Sequence, residues 1–266
     1  MSLVYAAYVP NAPFLISPPA FGGVGTEAVE ALRALRVVER FNPGAVVVSS
    51  PHWVSHSGFL VNESPRPRQI YDFSGFPPGL SAVQYEPPGN PGLAHAMVTA
   101  ARAAGIEVRG TKEWGLDHGA WAPLMHLVPR ADVPVVPLSI AELPPEAHVA
   151  LGRAIRPVLE SWPTPIVFVG TGSITHDFDR YDPRPGARWA EGERIEGEIL
   201  DLVGARNDQG LLGFDRAKWN TVKPEGNLGP LFTLLGAIAP DVRPRVVHRS
   251  AVMGGFGMSI LEFVPP

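Results

Sequence analysis

The segment AVVVSSPHW, residues 45–53, indicates the class of the fold. Residues 45–49 form an apolar run without the alternation of a half-buried strand, which is typical of a strand covered on both faces. A polar stretch that contains His52 follows this run directly. Since strands buried on both faces belong to sheets that helices cover, the segment predicts an α/β fold.

Further predicted strands and helices alternate along the chain. Apolar runs predict strands at residues 3–9, 107–109, 133–140, 166–170 and 259–263. Helical periodicity predicts helices at residues 27–41, 91–104, 146–159, 189–203 and 229–237. Because no repeat or low-complexity linker separates these elements, we expect one domain over residues 1–266. We expect it to be an α/β sandwich with a mixed, largely parallel central sheet flanked by helices.

The composition excludes several classes of function. The chain has 266 residues, 45% of them hydrophobic, which is enough for a large core without disulfides. Its formal net charge of -4 gives no basic surface for nucleic acid or an anionic membrane. Because there is no cysteine, a metal would need His, Asp, Glu, Asn or water as ligands. No stretch approaches the roughly 20 apolar residues of a membrane helix, so we expect a cytoplasmic protein.

Three of the eight histidines lie after predicted strands or at a predicted helix start, in segments rich in Gly, Ser or Pro. They are His52, His118 and His176. In α/β folds, ligands bind at the carboxyl ends of the strands. Imidazole binds Fe(II), Zn(II) or Mn(II), and an unligated imidazole exchanges a proton near neutral pH. A phenol needs both a Lewis acid and a base to react at pH 7, so the three histidines predict a metal site for a phenolic ring.

Motifs of other enzyme classes are missing or misplaced. Residues 170–173 lack the lysine of a Walker loop, and no nucleophile elbow of the Gly-x-Ser-x-Gly type occurs. The glycines at 254–257 precede a strand rather than a helix, which argues against a dinucleotide site. His95, His126 and His148 are expected to be exposed or structural. His56 either supports His52 from beside the metal or is exposed, and His248, in a late strand or loop, has no evident partner.

Several motifs resemble those of the class III extradiol ring-cleaving dioxygenases, the LigB-type superfamily. IYDFSGFPP at 70–78 and GLDHGAWAPL at 115–124 look like the DOPA-dioxygenase branch. SPHW at 50–53 and GSITH at 172–176 look like the other histidine motifs of the family. PEGNL at 224–228 is similar to the homoprotocatechuate-type enzymes. The motifs occur in the expected order between about residues 45 and 240, and the 115–124 motif is the most specific.

The resemblance implies a mononuclear Fe(II) held by two histidines and one carboxylate, with positions open for a catecholate and O2. It implies that His52 and Glu225 are metal ligands and that His176 is an acid/base residue beside the substrate hydroxyl. It also implies that His118 lines the pocket and polarises the substrate or the bound oxygen species. The implied reaction inserts both oxygen atoms and cleaves the ring next to the diol.

One implied ligand differs from the family pattern. The family places its first metal-binding His shortly after the first strand, and this chain has Asn11 there and no His before His52. An amide oxygen is a poorer ligand for Fe(II) than imidazole, so weaker iron retention or a different metal, Zn(II) or Mn(II), is expected. The DOPA branch also uses a His near the late helix, where this chain has Gly226 and Asn227. Glu225 supplies a ligand if the chain follows the homoprotocatechuate-type pattern.

Three functions stay open on these grounds. The first is an extradiol-type dioxygenase that acts on a small catechol-like or aminophenol ring with O2. The second is a non-catalytic or metal-poor member that acts as a partner subunit of a dioxygenase, and the third is a metal-dependent hydrolase or lyase. Intact motifs around His118 and His176 favour the first. We expect a homo-oligomer or a pair with a related subunit. The candidates for packing against the ring are Trp53, Tyr71, Phe73 and Trp121.

Overall fold

An eight-stranded mixed sheet lies at the centre of the protein, and helices cover both of its faces. It is described from a computed structural model that covers residues 2–77, 79–182, 184 and 186–265. In chain order the strands are β1 (Leu3–Val9), β2 (Ala45–Ser55), β3 (Phe59–Asn62), β4 (Val108–Thr111), β5 (Val135–Ala141), β6 (Ile166–Thr171), β7 (Pro244–His248), β8 (Ala251–Val252), β9 (Phe256–Gly257) and β10 (Ile260–Phe263). The order across the sheet is β4-β3-β5-β2-β6-β1-β10-β7, and β8 pairs separately with β9.

The helices fill the connections between these strands. The α-helices are α1 (Thr26–Ala34), α2 (Val37–Phe41), α3 (Pro91–Ala103), α4 (His118–Leu127), α5 (Pro145–Ser161), α6 (Ala190–Gly204), α7 (Asp208–Leu212), α8 (Arg216–Val222) and α9 (Gly229–Ala237). Short 3-10 turns lie at Pro13–Leu15, Pro18–Phe21, Leu80–Ala82, Phe178–Arg180 and Glu225–Leu228. Within the described residues, no helix is long and apolar enough to cross a membrane.

The four central strands β5, β2, β6 and β1 are all parallel to one another. Antiparallel pairing is found towards the two edges, where β10 joins β1 and β3 joins β5. The predicted class, a mixed and largely parallel sheet flanked by helices, is confirmed. Its physical basis is the apolar character of the central strands, each of which is buried along most of its length.

Two apolar clusters lie on opposite faces of the sheet. One contains side chains of α3, α5, α6 and α9, and the other contains those of α1 and α4. Strand β1 contributes to both, since Tyr8 belongs to the first cluster and its neighbour Val9 to the second. Helices α5 and α9 approach closely at Gly152 and Gly236. A Cβ atom at either position would overlap backbone atoms of the other helix.

The predicted helix over residues 27–41 is wrong as a single element. The chain breaks after α1, and Arg36 adopts a left-handed conformation with φ 49° before α2 begins. Leu35 and Val37 are both buried at 1% exposure. Two residues apart on a continuous helix, they would point about 200° apart and could not both face the core. The break therefore lets both side chains enter it.

Strand β2 extends past the predicted end at Ser49 as far as Ser55, with a register shift against β5 between Ser50 and Val54. His52 therefore lies in the irregular part of a strand and not in a free loop. Strands β1, β2 and β6 end at the same edge of the sheet, because Thr171 pairs with Val9 and Gly170 pairs with Ser49. This edge positions the predicted site residues.

Candidate active site

Three predicted site residues from distant parts of the chain meet at this edge of the sheet. Asn11 follows β1, His52 lies in β2, and Glu225 begins the 3-10 turn before α9. The Nδ2 atom of Asn11 donates to Oε1 of Glu225 at 3.1 Å, and Nε2 of His52 lies 3.1 Å from the same oxygen. The other oxygen, Oε2, accepts from the backbone N–H of Ser173 at 3.0 Å. The two side chains and one loop therefore converge on the Glu225 carboxylate.

The charges of His52 and Glu225 are coupled. Burial works to lower the pKa of His52, but hydrogen bonds with the carboxylates of Asp72 and Glu225 outweigh burial and raise that pKa to about 10. Burial works to raise the pKa of Glu225, but the His52 hydrogen bond, the charge of His176 and the Asn11 amide together lower it. The two groups, 3.1 Å apart, therefore favour each other's charged form.

A single carboxylate, Asp72, links His52 to His118. Its Oδ2 atom lies 2.9 Å from Nδ1 of His52, and its Oδ1 atom lies 2.9 Å from Nδ1 of His118. The backbone N–H of His118 also donates to Oδ1, at 2.8 Å. Burial works to raise the pKa of Asp72, but the hydrogen bonds from the two histidines hold it well below its ordinary value. Since an ionised carboxylate only accepts, both Nδ1 atoms donate, and both Nε2 atoms are left for other partners.

Asp72 was not among the predicted site residues. It lies in the quoted motif at 70–78, whose last residue, Pro78, is outside the described part of the chain. The residue type gave a signal, because a carboxylate is the usual partner of a metal-binding or catalytic imidazole. Its two histidine partners are distant in sequence, and only the fold brings them within 4.2 Å of each other, measured between ring centroids.

The start of α4 orients His118. Asp117 caps the helix by accepting from the backbone N–H of Ala120 at 3.0 Å, and it also accepts from the Ser50 hydroxyl at 2.6 Å. Ser50 precedes His52 by two residues, so the cap connects α4 to β2. Gly119 is required at this contact, because a Cβ atom there would lie 2.6 Å from Cδ2 of His52.

His176 lies on a loop that is joined to the loop carrying Glu225. The backbone N–H of His176 donates to the carbonyl oxygen of Val222 at 2.8 Å, and that of Glu225 donates to Ser173 at 3.0 Å. The His176 ring contacts Phe178 and Phe256 edge-on, with centroids 4.9 Å and 5.5 Å away. Two backbone hydrogen bonds thus join the loop that carries His176 to the segment that carries Glu225.

The turn that carries Glu225 is strained. Gly226, Asn227 and Leu228 all adopt left-handed conformations, with φ values of 53°, 50° and 57°. Such values disfavour L-residues, above all leucine, and persist only where the surrounding structure enforces them. Asn227 accepts from the indole N–H of Trp219 at 3.2 Å, which holds the turn in place. Strained backbone of this kind is typical of positions that must present a functional side chain.

Two donor sets that share His52 could hold a metal ion. In the first, Nε2 of His52 and the amide of Asn11 both contact Oε1 of Glu225. In the second, the ligand atoms of His52, Asp72 and His118 lie within 4.8 Å of one another. In the second set, the oxygens of Asp72 accept from Nδ1 of both imidazoles, so Asp72 holds the two rings. With its Nδ1 atom held in this way, His52 directs its Nε2 atom at Glu225.

The first set fits a divalent ion. Two donors that bind one ion at about 2.0–2.2 Å each lie no more than about 4.4 Å apart, and His52 and Glu225 would meet this limit with 3.1 Å between Nε2 and Oε1. The hydroxyl of Tyr8 is buried beside Gly172 and has no hydrogen-bond partner among the described residues. Imidazole and carboxylate are strong donors for Fe(II), Zn(II) and Mn(II), and the Asn11 amide adds a neutral and weaker one.

The remaining candidates divide between this site and the core. Phe73 lies edge-on to His118, with centroids 5.3 Å apart, and Tyr71 packs against Phe73 at 6.2 Å. Trp121 is fully buried and donates to the carbonyl oxygen of Ile70, while Trp53 stacks on Trp114.

The other histidines have structural or surface positions. His126 and His148 are buried, His56 pairs with exposed Glu142, His95 is exposed, and His248 contacts Ser250.

Comparison with known proteins identifies the family. A family model described as the catalytic LigB subunit of aromatic ring-opening dioxygenase matches residues 23–263. The chain belongs to this family. It is therefore a member of the class III extradiol dioxygenases of the LigB superfamily, as the sequence motifs predict, and the family consists of metal-dependent dioxygenases.

Curated relatives of this LigB member carry one recurring name. A protein of Mirabilis jalapa named 4,5-DOPA dioxygenase extradiol is 29% identical over 236 residues, which cover 86% of this chain and 85% of the relative. A Beta vulgaris protein of the same name is 32% identical and covers 78% of each chain. A third of that name, from Escherichia coli K12, is 39% identical over 51% of this chain and 48% of its own length.

A solved structure has the same fold. The crystal structure of an uncharacterized protein from Escherichia coli K12 superposes with a TM-score of 0.72. The match covers 97% of this chain and 99% of the other, at 22% sequence identity. At that identity, the likeness supports the fold alone.

Proposed function

We propose that this LigB-family chain is an extradiol-type dioxygenase that cleaves a small catechol-like or aminophenol ring with O2 at a mononuclear Fe(II) site. The observation that carries the proposal is the convergence of His52 and Asn11 on one oxygen of Glu225. His118 is fixed beside them by the carboxylate that also holds His52. The names of the curated relatives support the same reaction class.

We propose that His52 and Glu225 hold the ion and that Asn11 gives a weak third contact. When bound, such an ion acts as a Lewis acid on the diol and brings it together with O2. Asp72 accepts from Nδ1 of His52 with one carboxylate oxygen and from Nδ1 of His118 with the other. Because Nδ1 of His52 is held in this way, its Nε2 atom stays directed at Glu225. A weak third contact favours weak retention of Fe(II), and Zn(II) or Mn(II) are the alternatives.

The two remaining histidines are proposed to act on the substrate. We propose that His176, on the loop joined to the Glu225 segment, takes the proton of a substrate hydroxyl and returns it. The Nδ1 atom of His118 is held by Asp72, so its Nε2 atom is the one left to polarise the substrate. Phe73, edge-on to His118, gives an apolar surface for the ring.

The test is anaerobic reconstitution of the purified chain with Fe(II), followed by O2 uptake and product analysis with a panel of catechols and aminophenols. We expect O2 uptake that depends on both iron and substrate, together with a ring-opened product. Metal analysis of the same samples gives the occupancy. An iron-loaded chain that opens no ring in the panel would contradict the proposal. A chain that binds no metal would support the alternative, a partner subunit without a catalytic centre.

A further inference from the structure

Helix α6 places an acidic side chain, that of Glu196, inside the protein, where it is only 4% exposed. Its Oε2 atom accepts from the hydroxyl of Thr175 at 2.6 Å, and its Oε1 atom accepts from the hydroxyl of Ser259 at 2.6 Å. Both hydroxyl residues are buried as well. A carboxyl group is rarely buried without a charged partner in contact, and here both of its oxygens contact hydroxyl groups.

The Glu196 carboxyl lies behind the loop that carries His176. Thr175 directly precedes His176, and His176 forms an antiparallel bridge with Phe256. The backbone N–H of Gly257 donates to the carbonyl oxygen of Thr175 at 2.9 Å, which extends this bridge. Position 257 has no room for a side chain, because a Cβ atom there would overlap the carboxyl of Glu196. The carboxyl thus contacts both strands of the bridge.

Packing alone does not explain a carboxyl at this position. The other inward-facing residues of α6 include Ile195, Ile199 and Val203, all buried. An apolar side chain in place of Glu196 would avoid the cost of taking a carboxyl out of water. What it would not supply is a directional contact, since a hydrogen bond fixes the position of the Thr175 hydroxyl and apolar packing does not.

We propose that Glu196 is a positioning residue that sets the orientation of His176 by holding the hydroxyl of Thr175. This inference rests on the proposed function, in which His176 exchanges a proton with the substrate. Ser259 donates to the second carboxyl oxygen of Glu196 and is distant in sequence from His176. The path therefore runs from α6 through Thr175 to the imidazole, and Ser259 lies outside it.

The chain offers a matched pair of variants for the test. Thr175→Val and Ser259→Ala each remove one hydroxyl from the same carboxyl, but only Thr175 adjoins His176. Glu196→Ala removes both contacts. Glu196→Gln keeps both, because its amide oxygen accepts from Thr175 and its amide N–H donates to the Ser259 hydroxyl. Each variant is assayed for kcat and KM with the Fe(II)-loaded chain and a cleaved catechol, and for its thermal unfolding midpoint. The His176 ring signals are recorded by NMR on the metal-free chain.

We expect Thr175→Val and Glu196→Ala to lower kcat by about 10- to 100-fold, with little change in KM, and to shift the His176 ring signals. Ser259→Ala is expected to lower the unfolding midpoint as Thr175→Val does, while kcat and the His176 signals stay near those of the parent. Glu196→Gln is expected to keep kcat and the His176 ring signals near those of the parent.

Equal effects of Thr175→Val and Ser259→Ala on kcat would overturn the proposal, as would unmoved His176 signals in Thr175→Val. If Glu196→Ala does not fold, the comparison of Thr175→Val with Ser259→Ala still tests whether the Thr175 contact orients His176. If the parent chain cleaves no catechol, the proposed function fails, but the NMR comparison still tests whether Glu196 positions His176.

Discussion

Nε2 of His52 and Oε1 of Glu225 lie 3.1 Å apart, although the two residues are separated by 173 positions in the chain. The irregular part of β2 presents the first, and a strained left-handed turn presents the second. This distance matches two neighbouring ligands of one ion. The carboxylate of Asp72, on the opposite side of the imidazole, fixes which nitrogen faces Glu225.

Replacing Asp72 by asparagine should weaken metal binding. Asp72→Asn removes the charged acceptor from Nδ1 of His52, so the ring loses its fixed orientation and some of its basicity. We expect the dissociation constant for Fe(II) or Zn(II) to rise about 10- to 100-fold in a competition titration with a chelator. The control is Glu142→Gln, which changes the exposed partner of His56. Equal affinity of Asp72→Asn and the parent would show that Asp72 does not support a metal ligand.

Replacing Asn11 by histidine should strengthen metal binding. Imidazole is a better donor than an amide, so Asn11→His should lower the dissociation constant by at least about tenfold, equal to about 1.4 kcal/mol. The same titration measures it, with Asn220→His on the exposed face of α8 as the matched control. If the two histidine variants bind metal alike, Asn11 does not face the ion.

The contact between α5 and α9 should tolerate no side chain. Gly152→Ala places a methyl group against the backbone of α9, and we expect it to cost about 1–3 kcal/mol in the free energy of unfolding, measured in urea. Gly204→Ala, at the end of α6, is the control, because a Cβ there has no neighbour within 4 Å. It should be neutral or should stabilise by up to about 1 kcal/mol. Similar losses in both variants would contradict the close approach of the two helices.

Stability in acid should depend on Glu262, a buried residue of β10 that accepts from Arg245 and Arg40. Burial works to raise the pKa of this carboxyl, but the two arginines hold it below its ordinary value. A depressed carboxyl pKa stabilises the fold above the unfolded value, about 4.3, and this contribution is lost as the pH falls through the folded value.

Glu262→Gln should therefore cost about 1 kcal/mol at pH 7, a low value because both arginines are partly exposed. Its free energy of unfolding should then fall less than that of the parent between pH 7 and pH 3. Glu198→Gln, which removes exposed ion pairs on α6, is the control. Parallel pH profiles of Glu262→Gln and the parent would refute the assignment.

The sequence predicted the central strands well, because long apolar runs have few alternatives inside a covered sheet. It did not predict β3 or β7. The apolar run of β3 has only three residues, 59–61, and β7 lies at the sheet edge with two of its five residues exposed. It also merged α1 and α2, since periodicity alone does not reveal the left-handed break at Arg36.

For the site, the sequence named Asn11, His52 and Glu225, and the fold brings these three side chains together. The sequence did not indicate Asp72 or Glu196, because the contacts of each carboxylate are made with residues that only the fold brings close to it. His118 and Thr175, their partners, are 46 and 21 positions away. Local patterns carry no information on such pairings.

Ring cleavage at Glu225 is tested most directly by a single-turnover reaction of the Fe(II)-loaded chain with a catechol that it binds, under labelled O2, with Glu225→Gln run in parallel. We expect a ring-opened product that carries both atoms of the labelled O2, and we expect Glu225→Gln to lose both that product and its iron. An iron-loaded parent chain that leaves the ring intact, or a Glu225→Gln variant that retains iron and cleaves the ring at the parent rate, would contradict this expectation.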